Sequence, residues 1–225
     1  MTAVEVREPV PVSTSWRSSA AVRLVWLHAR SRRVPSAVAA LAVIAVALWA
    51  VLTYHWTLGA SGRTTTELPM IFEGCTAAVI AIATHSPFGE PERATGRWLP
   101  FLRLGVVLAL CGLAIGLLAL AAAIANGPSA NLAGGTLPLV RNVLGMTGIG
   151  LVLVLFTGGL LGWVGPLGYI AISEFALIAN YSTPLTWPAR PPGDRGGWLA
   201  AMAVFAVGLV AYTLRGARDR ITDTA

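Results

Sequence analysis

Residues 104–125 read LGVVLALCGLAIGLLALAAAIA, and this run without a charged residue decides the class of the fold. Roughly 20 apolar residues in helical conformation cross the hydrocarbon core of a bilayer. The rest of the chain has the same character, since 56% of its 225 residues are hydrophobic and only 12% are charged. A soluble protein of this composition would expose large apolar patches. The sequence therefore predicts an integral membrane protein that forms one domain.

Further apolar runs lie on both sides of residues 104–125. The stretch 137–180 is too long for one crossing, and its glycine-rich cluster at residues 158–166 marks the expected turn. The prediction is an all-α, polytopic membrane protein. Its residues 34–215 are expected to form about six transmembrane helices, at 37–55, 68–85, 104–125, 138–158, 164–181 and 198–214.

The placement of arginine predicts the orientation of these helices. All 16 basic residues are arginines. With the N-terminus inside, only Arg63, Arg190 and Arg195 fall in outer loops, with Arg141 near the outer end of the fourth span. The other arginines lie on the inner side, in agreement with the positive-inside bias. We expect a multi-pass protein of the cytoplasmic membrane with both termini in the cytoplasm, including the tail at 216–225, and no binding of nucleic acid.

The N-terminal 33 residues divide into two parts. Residues 1–13 have no periodicity and are predicted to be a disordered cytoplasmic tail. In residues 14–33, apolar side chains recur at helical spacing while arginines lie elsewhere around the helix, which predicts an amphipathic helix lying flat on the inner surface of the bilayer. The alternative is a cytoplasmic arm whose arginines only set the topology. The residues assigned to the helix are Trp16, Arg17, Arg23, Leu24, Leu27 and Arg30.

The largest expected inner loop, SPFGEPERATGRWLPFLR at residues 86–103, carries charges of both signs. Its glutamates and arginines are spaced so that they support a short helix, with Pro91 in the first turn. Such a helix, pressed on the inner face of the membrane, would suit the docking of a soluble partner. The alternative interpretation is an ordinary solvated loop.

Three ionisable residues, Glu73, Arg141 and Glu174, fall within or near the expected spans. Charge inside a bilayer is costly, so these side chains are expected to face the protein interior and to have partners. The alternation of the spans places all three in one outer layer, where Arg141 can pair with either glutamate. They indicate either a path for a substrate or ion, or a structural ion pair between helices, with Glu73 alternatively reaching the outer interface.

Two further features concern packing. The pairs Gly112 with Gly116 and Gly158 with Gly162 have the spacing that allows close approach of helices, and they are candidates for helix packing and dimerisation. The outer loop at 182–197 contains four prolines, so it cannot be a regular span. It either dips into the outer interface as a short re-entrant element or caps the bundle.

No motif typical of catalysis is found. The glycine-flanked Ser61 is similar to the nucleophile of intramembrane serine proteases, but it falls in an outer loop and no histidine lies in the last four expected spans. The sequence has no phosphate-binding loop, two-histidine zinc motif or paired-cysteine motif. We therefore expect a protein that is not an enzyme and that binds neither a cofactor nor a metal.

The order of these segments resembles the permease subunits of type 2 ABC transporters, which export drugs, lipids and polysaccharides. The shared layout is an interfacial helix, six spans, a charged loop after the second span, a short turn after the fourth and an outer element after the fifth, then a basic tail, here LRGARDR at 214–220. The likeness covers nearly the whole chain through layout and not through a signature motif. It implies a dimer with a second copy or a related permease, and a separate ABC ATPase subunit that binds ATP and docks on the inner loop 86–103 and the N-terminal helix. The residues that the resemblance implies for motor coupling are Pro87, Glu90, Glu92, Arg93 and Arg97.

Two other functions fit the same sequence. One is an accessory or immunity membrane protein without transport activity, which the glycine pairs and the lack of catalytic motifs fit equally well. The other is a secondary transporter that couples transport to protons through Glu73 and Glu174. The ABC permease, working as an exporter, is the leading hypothesis.

Overall fold

A computed structural model describes residues 34–54, 64–84, 99–125, 136–158, 161–178, 183 and 185–216, with the side chains of 64–68, 177, 178 and 189 excepted. Outside these ranges lie the interfacial helix expected at 14–33, the tail at 1–13, the tail at 216–225 except for Gly216, and the five expected coupling residues. The described part is all-helical and has no strand, which confirms the predicted fold class. Its helices are α1 Val34–Thr53, α2 Thr64–Ala83, α3 Leu99–Ala125, α4 Thr136–Thr157, α5 Val164–Ile178 and α6 Arg195–Arg215, with a 3-10 helix at Trp187–Ala189.

Four of these helices, α1, α3, α4 and α6, are long and apolar enough to cross a membrane. In α2 the apolar part is shorter, Pro69–Ala83, and α5 has 15 residues. Large apolar side chains point away from the bundle along several helices, such as Val43, Leu120 and Val207. Such a surface suits contact with lipid and not with water. The chain is therefore a membrane protein, and the predicted number of about six spans is approximate.

The even-numbered helices run parallel to one another. Residues further along one helix meet residues further along the next, in the same order. The pairs that establish this are Glu73 with Asn142 and Ala81 with Gly150 between α2 and α4, and Gly197 with Arg141 and Gly208 with Gly148 between α6 and α4.

The odd-numbered helices run in the opposite direction. In α5, Pro166 lies beside Gly150 while Ile170, one turn later, packs with Met146, one turn earlier in α4. The first half of α1 and the first half of α3 share a core with the last part of α4, and their second halves share a core with the start of α4. We call the end of the bundle at the starts of α4 and α6 the outer end, following the orientation that the arginines predict, and the opposite end the inner end.

The turn between α4 and α5 lies where the glycine cluster predicts it. Gly158 follows the last residue of α4, and its φ of 81° is one that glycine adopts without steric cost. The structure corrects the other expectation for this cluster. Because Gly158 lies beyond the end of α4 and Gly162 precedes α5, the two residues do not share one helix and cannot form a helix-packing pair.

Close helix packing depends instead on Gly148 and Gly208, which bring the backbones of α4 and α6 into contact. A Cβ atom on Gly208 would lie 2.5 Å from the carbonyl oxygen of Gly148, and a Cβ atom on Gly148 would lie 2.6 Å from the Cα atom of Phe205. Only glycine permits this approach. By contrast, Gly112 and Gly116 on α3 are exposed, and a Cβ atom on either would meet nothing within 4 Å.

Gly208→Ala is expected to lower the melting temperature of the purified protein in mild detergent, because its methyl group would collide with backbone atoms of α4. Overpacking of this kind typically costs about 1–3 kcal/mol. The matched control is Gly168→Ala on α5, where an added Cβ meets nothing within 4 Å, so that the better helix propensity of alanine leaves stability unchanged or slightly raised. Equal melting temperatures for the two variants would contradict the tight α4–α6 contact.

Candidate functional site at the outer end

Glu73, Asn142 and Arg141 form a hydrogen-bonded chain between α2 and α4. Their exposed fractions are only 4%, 5% and 1%, respectively. The Nδ2 group of Asn142 donates to Oε2 of Glu73 at 2.8 Å, and Nε of Arg141 donates to Oδ1 of Asn142 at 3.3 Å. The amide is therefore oriented by a neighbour on each side, and it links the carboxyl group of Glu73 to the guanidinium of Arg141. The sequence placed Glu73 and Arg141 in one layer, and the structure brings them together through an amide that was not predicted.

The outer face of the Arg141 guanidinium binds main-chain carbonyl groups. Its Nη1 atom donates to the carbonyl oxygen of Pro191 at 3.0 Å, and its Nη2 atom donates to that of Arg190 at 3.1 Å. A guanidinium has five N–H donors in a planar fork, and here all three nitrogen atoms have oxygen partners. Arg141 thus joins the polar chain inside the bundle to the loop that precedes α6.

This loop enters the bundle, and we call residues 185–194 the re-entrant segment. Its Trp187 is 1% exposed. The indole ring stacks on the ring of Tyr169, with centroids 4.6 Å apart, and rests on Gly145, where an added Cβ would lie 2.7 Å from the ring. Gly145 is about 13 Å along α4 from its start at Thr136, at ~1.5 Å per residue. Trp187 is therefore buried against α4 and α5, whereas an aromatic residue near the end of a span is usually assigned to the interface.

Proline and capping interactions give the re-entrant segment its shape. Proline cannot donate a backbone hydrogen bond, so the segment forms only the short 3-10 helix before α6 begins. Asp194 then caps α6 by accepting a hydrogen bond from the backbone N–H of Gly197, and it pairs with Nε of Arg190 at 3.0 Å. The hydroxyl of Tyr169 donates to the carbonyl oxygen of Leu185. The segment is therefore tied to α4, α5 and α6.

Glu174, the third expected intramembrane charge, lies on α5 and is half-buried. It is on the same helix as Tyr169 and directly follows Ser173, which is fully buried. The hydrogen bonds that join α2, α4 and the re-entrant segment run through Glu73, Asn142 and Arg141.

Three residues of this site were missed by the analysis of the sequence: Asn142, Tyr169 and Trp187. A signal existed for Asn142, because an amide inside an apolar span also needs a hydrogen-bonding partner, and it is adjacent to Arg141 in the chain. No such signal marks Tyr169 or Trp187, whose roles depend on the depth to which the segment inserts. The described residues contain no group of three or more histidine, cysteine, aspartate or glutamate side chains that could hold a metal ion.

Comparison with known proteins gave no relative. No protein-family model matches the chain, and searches of curated proteins and of solved structures found no significant match. The function must therefore be argued from the sequence and from the geometry of this site.

Asn142→Leu is expected to destabilise the protein strongly, although the leucine side chain has the same branched shape and the same number of heavy atoms. The substitution leaves the Glu73 carboxyl and the Nε group of Arg141 without the partner that each has in the bundle, and an unsatisfied buried polar group costs about 1–3 kcal/mol, or more when it is charged. Thermal unfolding in detergent measures the loss.

The matched control for this variant is Thr157→Val on the same helix. The hydroxyl of Thr157 donates to the carbonyl oxygen of Leu153 in its own helix at 2.9 Å, so its removal is expected to leave stability nearly unchanged. If Asn142→Leu and Thr157→Val have the same small effect, the hydrogen-bonded chain does not stabilise the bundle.

Proposed function

We propose that the chain is the membrane-spanning permease subunit of an ABC exporter in the cytoplasmic membrane, driven by a separate ATPase subunit. The observation that carries the proposal is the re-entrant segment between α5 and α6, which inserts Trp187 into the bundle and is held by the buried Arg141. Helices of alternating direction and a short turn between α4 and α5 also support it. These features belong to the layout through which the sequence resembles type 2 ABC permeases.

In this mechanism no residue of the chain performs covalent chemistry. Binding of ATP closes the partner's motor, and the inner loop, with Glu92 and Arg93, passes that motion to α2 and α3. A pathway between two permease subunits then opens toward the outer side, which is conformational gating. The exposed glycines Gly112 and Gly116 on α3 support a close approach by a second copy or a related permease, because they leave room for another helix.

The buried polar chain fits a gate at the outer end. Arg141 holds the re-entrant segment by two carbonyl oxygens, and its charge is offset by the nearby Glu73 through Asn142. We call these two hydrogen bonds of Arg141 the latch. Because they are shielded from water, they are strong when formed and costly to leave unmade. Transport would require the latch to open and to form again in each cycle.

The double variant Glu92→Ala/Arg93→Ala is expected to abolish recovery of the ATPase when the tagged chain is purified in mild detergent from its own host. The wild-type chain is expected to bring with it, in stoichiometric amount, a protein with a phosphate-binding loop, identified by mass spectrometry. The matched control is Arg7→Ala/Glu8→Ala in the tail at 1–13, which removes the same pair of charges and is expected to leave recovery unchanged. A wild-type preparation that contains no ATPase would argue against the permease.

A second candidate function is proton-coupled transport, and the burial of Glu73 favours it specifically. A carboxyl that is 4% exposed and is bonded to a neutral amide can take up and release a proton without losing its place in the bundle. In this hypothesis the chain works without an ATPase, and a proton gradient alone drives the substrate.

Glu73→Gln separates the two functions. Glutamine keeps an oxygen that accepts the hydrogen bond from Asn142, but it cannot bind a proton. The assay uses vesicles that contain the chain and the pH indicator pyranine, to which a panel of amphipathic cations is added under a proton gradient. Coupled proton flow in wild-type vesicles that Glu73→Gln abolishes would establish the second function. If neither the wild type nor Glu73→Gln shows gradient-driven proton flow, the recovery of an ATPase decides between the remaining functions. A recovered ATPase favours the ABC permease, and its absence favours the accessory or immunity protein.

A further inference from the structure

The inner end of α6 holds the ends of two other helices. The hydroxyl of Tyr212, which is 1% exposed, donates to the carbonyl oxygen of Thr84, the residue that follows α2, at 3.0 Å. One turn later Gly216, with a φ of 75°, lies against the guanidinium of Arg103 in α3, where an added Cβ would be 2.7 Å from Cζ. The positive φ favours glycine at this position. Thr84, which follows α2, and Arg103, one turn into α3, therefore contact the last turn of α6 and its C-cap within four residues of each other.

The outer end of α6 is continuous with the re-entrant segment. Asp194 caps the helix, and the two residues whose carbonyl oxygens bind Arg141 lie within five residues of its start. Gly197, in the first turn, lies beside Arg141 itself, with 3.4 Å between Nη1 and an added Cβ. A displacement of the start of α6 would therefore pull the carbonyl groups of Arg190 and Pro191 away from the guanidinium.

Between these two ends, α6 contacts α4 through bare backbone at Gly148 and Gly208. The helix Arg195–Arg215 contains no proline, and at ~1.5 Å per residue it is about 31 Å long. No proline interrupts the backbone hydrogen bonds of this helix, so a displacement at one of its ends is carried toward the other. At the glycine contact backbone meets backbone, and next to it Phe205 and Leu209 of α6 pack in the core that holds Leu151 and Val154 of α4. We take the glycine contact as the point about which α6 tilts, while these side chains keep the two helices together.

We propose that α6 is a lever that couples the two ends of the bundle. Movement of Thr84 and Arg103 at the inner end tilts α6 about the Gly148–Gly208 contact, and the tilt releases the re-entrant segment from Arg141 at the outer end. The lever depends on the proposed function only for the motion that drives it, which is the motion of the inner loop. The mechanical link is a property of the chain alone and is tested without an ATPase or a substrate.

The test is hydrogen–deuterium exchange of the purified chain in lipid nanodiscs, comparing the wild type with Tyr212→Phe. This change removes the hydroxyl bonded to Thr84 and keeps the ring. The reporter is the re-entrant segment, where the amides of Arg190 and Asp194 donate to the carbonyl oxygens of Trp187 at 3.2 Å and Pro191 at 3.1 Å. We expect exchange of these amides to be roughly threefold faster or more, as for the loss of one buried hydrogen bond.

Two controls accompany this variant. Tyr54→Phe removes the same hydroxyl from an exposed tyrosine at the end of α1 and is expected to leave exchange in the re-entrant segment unchanged. The amide of Tyr54 donates to the carbonyl oxygen of Ala50 at 2.9 Å and lies at the same outer end. Its exchange rate is expected to be the same in Tyr212→Phe as in the wild type. Faster exchange both in the re-entrant segment and at Tyr54 would indicate general loosening of the bundle and would overturn the lever. Unchanged exchange in both would overturn it as well.

Energetic coupling between two sites is reciprocal, which gives a second test from the other end. Arg141→Lys keeps the charge but replaces the fork of three nitrogen atoms, each with its own partner, by a single ammonium nitrogen. It is expected to speed exchange of the amide of Gly216, which donates to the carbonyl oxygen of Tyr212 at 2.8 Å. An unchanged rate at Gly216, with faster exchange in the re-entrant segment, would show that the outer end opens without α6 and would overturn the proposal. Recovery of an ATPase is measured separately, so that failure of the lever and failure of the permease function remain distinguishable.

Discussion

The guanidinium of Arg141 is a full positive charge placed among apolar helices, and the architecture of the outer end follows from the need to satisfy it. Charge inside a membrane is tolerated when it faces the protein interior and has polar partners. Here the partners are the amide of Asn142, which in turn bonds Glu73, and two carbonyl oxygens of the re-entrant segment. The segment must therefore fold back to the depth of Arg141, and Trp187 fills the space beneath it. Irregular backbone at this depth is acceptable because it is enclosed by protein.

The second constraint is the absence of side chains where helices cross. Gly148 and Gly208 set the distance between α4 and α6, and Gly145 makes room for the indole of Trp187. Without a hydrophobic driving force between helices in lipid, packing and hydrogen bonds must hold them together, and small residues make that packing close. The same contacts position α6 between two sets of partners. Its outer end meets the polar chain, and its inner end meets the ends of α2 and α3.

Much of this arrangement could be predicted from the sequence. The remainder depends on tertiary contacts, which hydrophobic periodicity does not encode. Hydrophobic runs locate helices well because lipid leaves the backbone few alternatives, and the glycine cluster located the turn after α4. The shared layer of Glu73 and Arg141 followed from alternation of the spans. The inward-facing glycines could not be distinguished from Gly112 and Gly116, because similar spacings occur on both faces of these helices. The position of Trp187 could not be predicted either, since it depends on a proline-rich loop that has no repeating pattern. Which side chain joins two charges is decided by tertiary contacts, so Asn142 was missed as well.

The burial of α4 has a consequence for the biogenesis of the protein. This helix packs against α2, α3, α5 and α6, and it carries both Arg141 and Asn142. An arginine near the centre of a helix adds about 2.5–3.5 kcal/mol to the free energy of its insertion from the translocon into lipid, although the cost is lower toward the helix end where Arg141 lies. Since α2 is synthesised first, Glu73 is already available when α4 leaves the ribosome, whereas the carbonyl groups of Arg190 and Pro191 arrive only later. The order of elements along the chain thus favours insertion of α4 as a partner of helices already in the membrane, with the outer end completed only after α6 has been made.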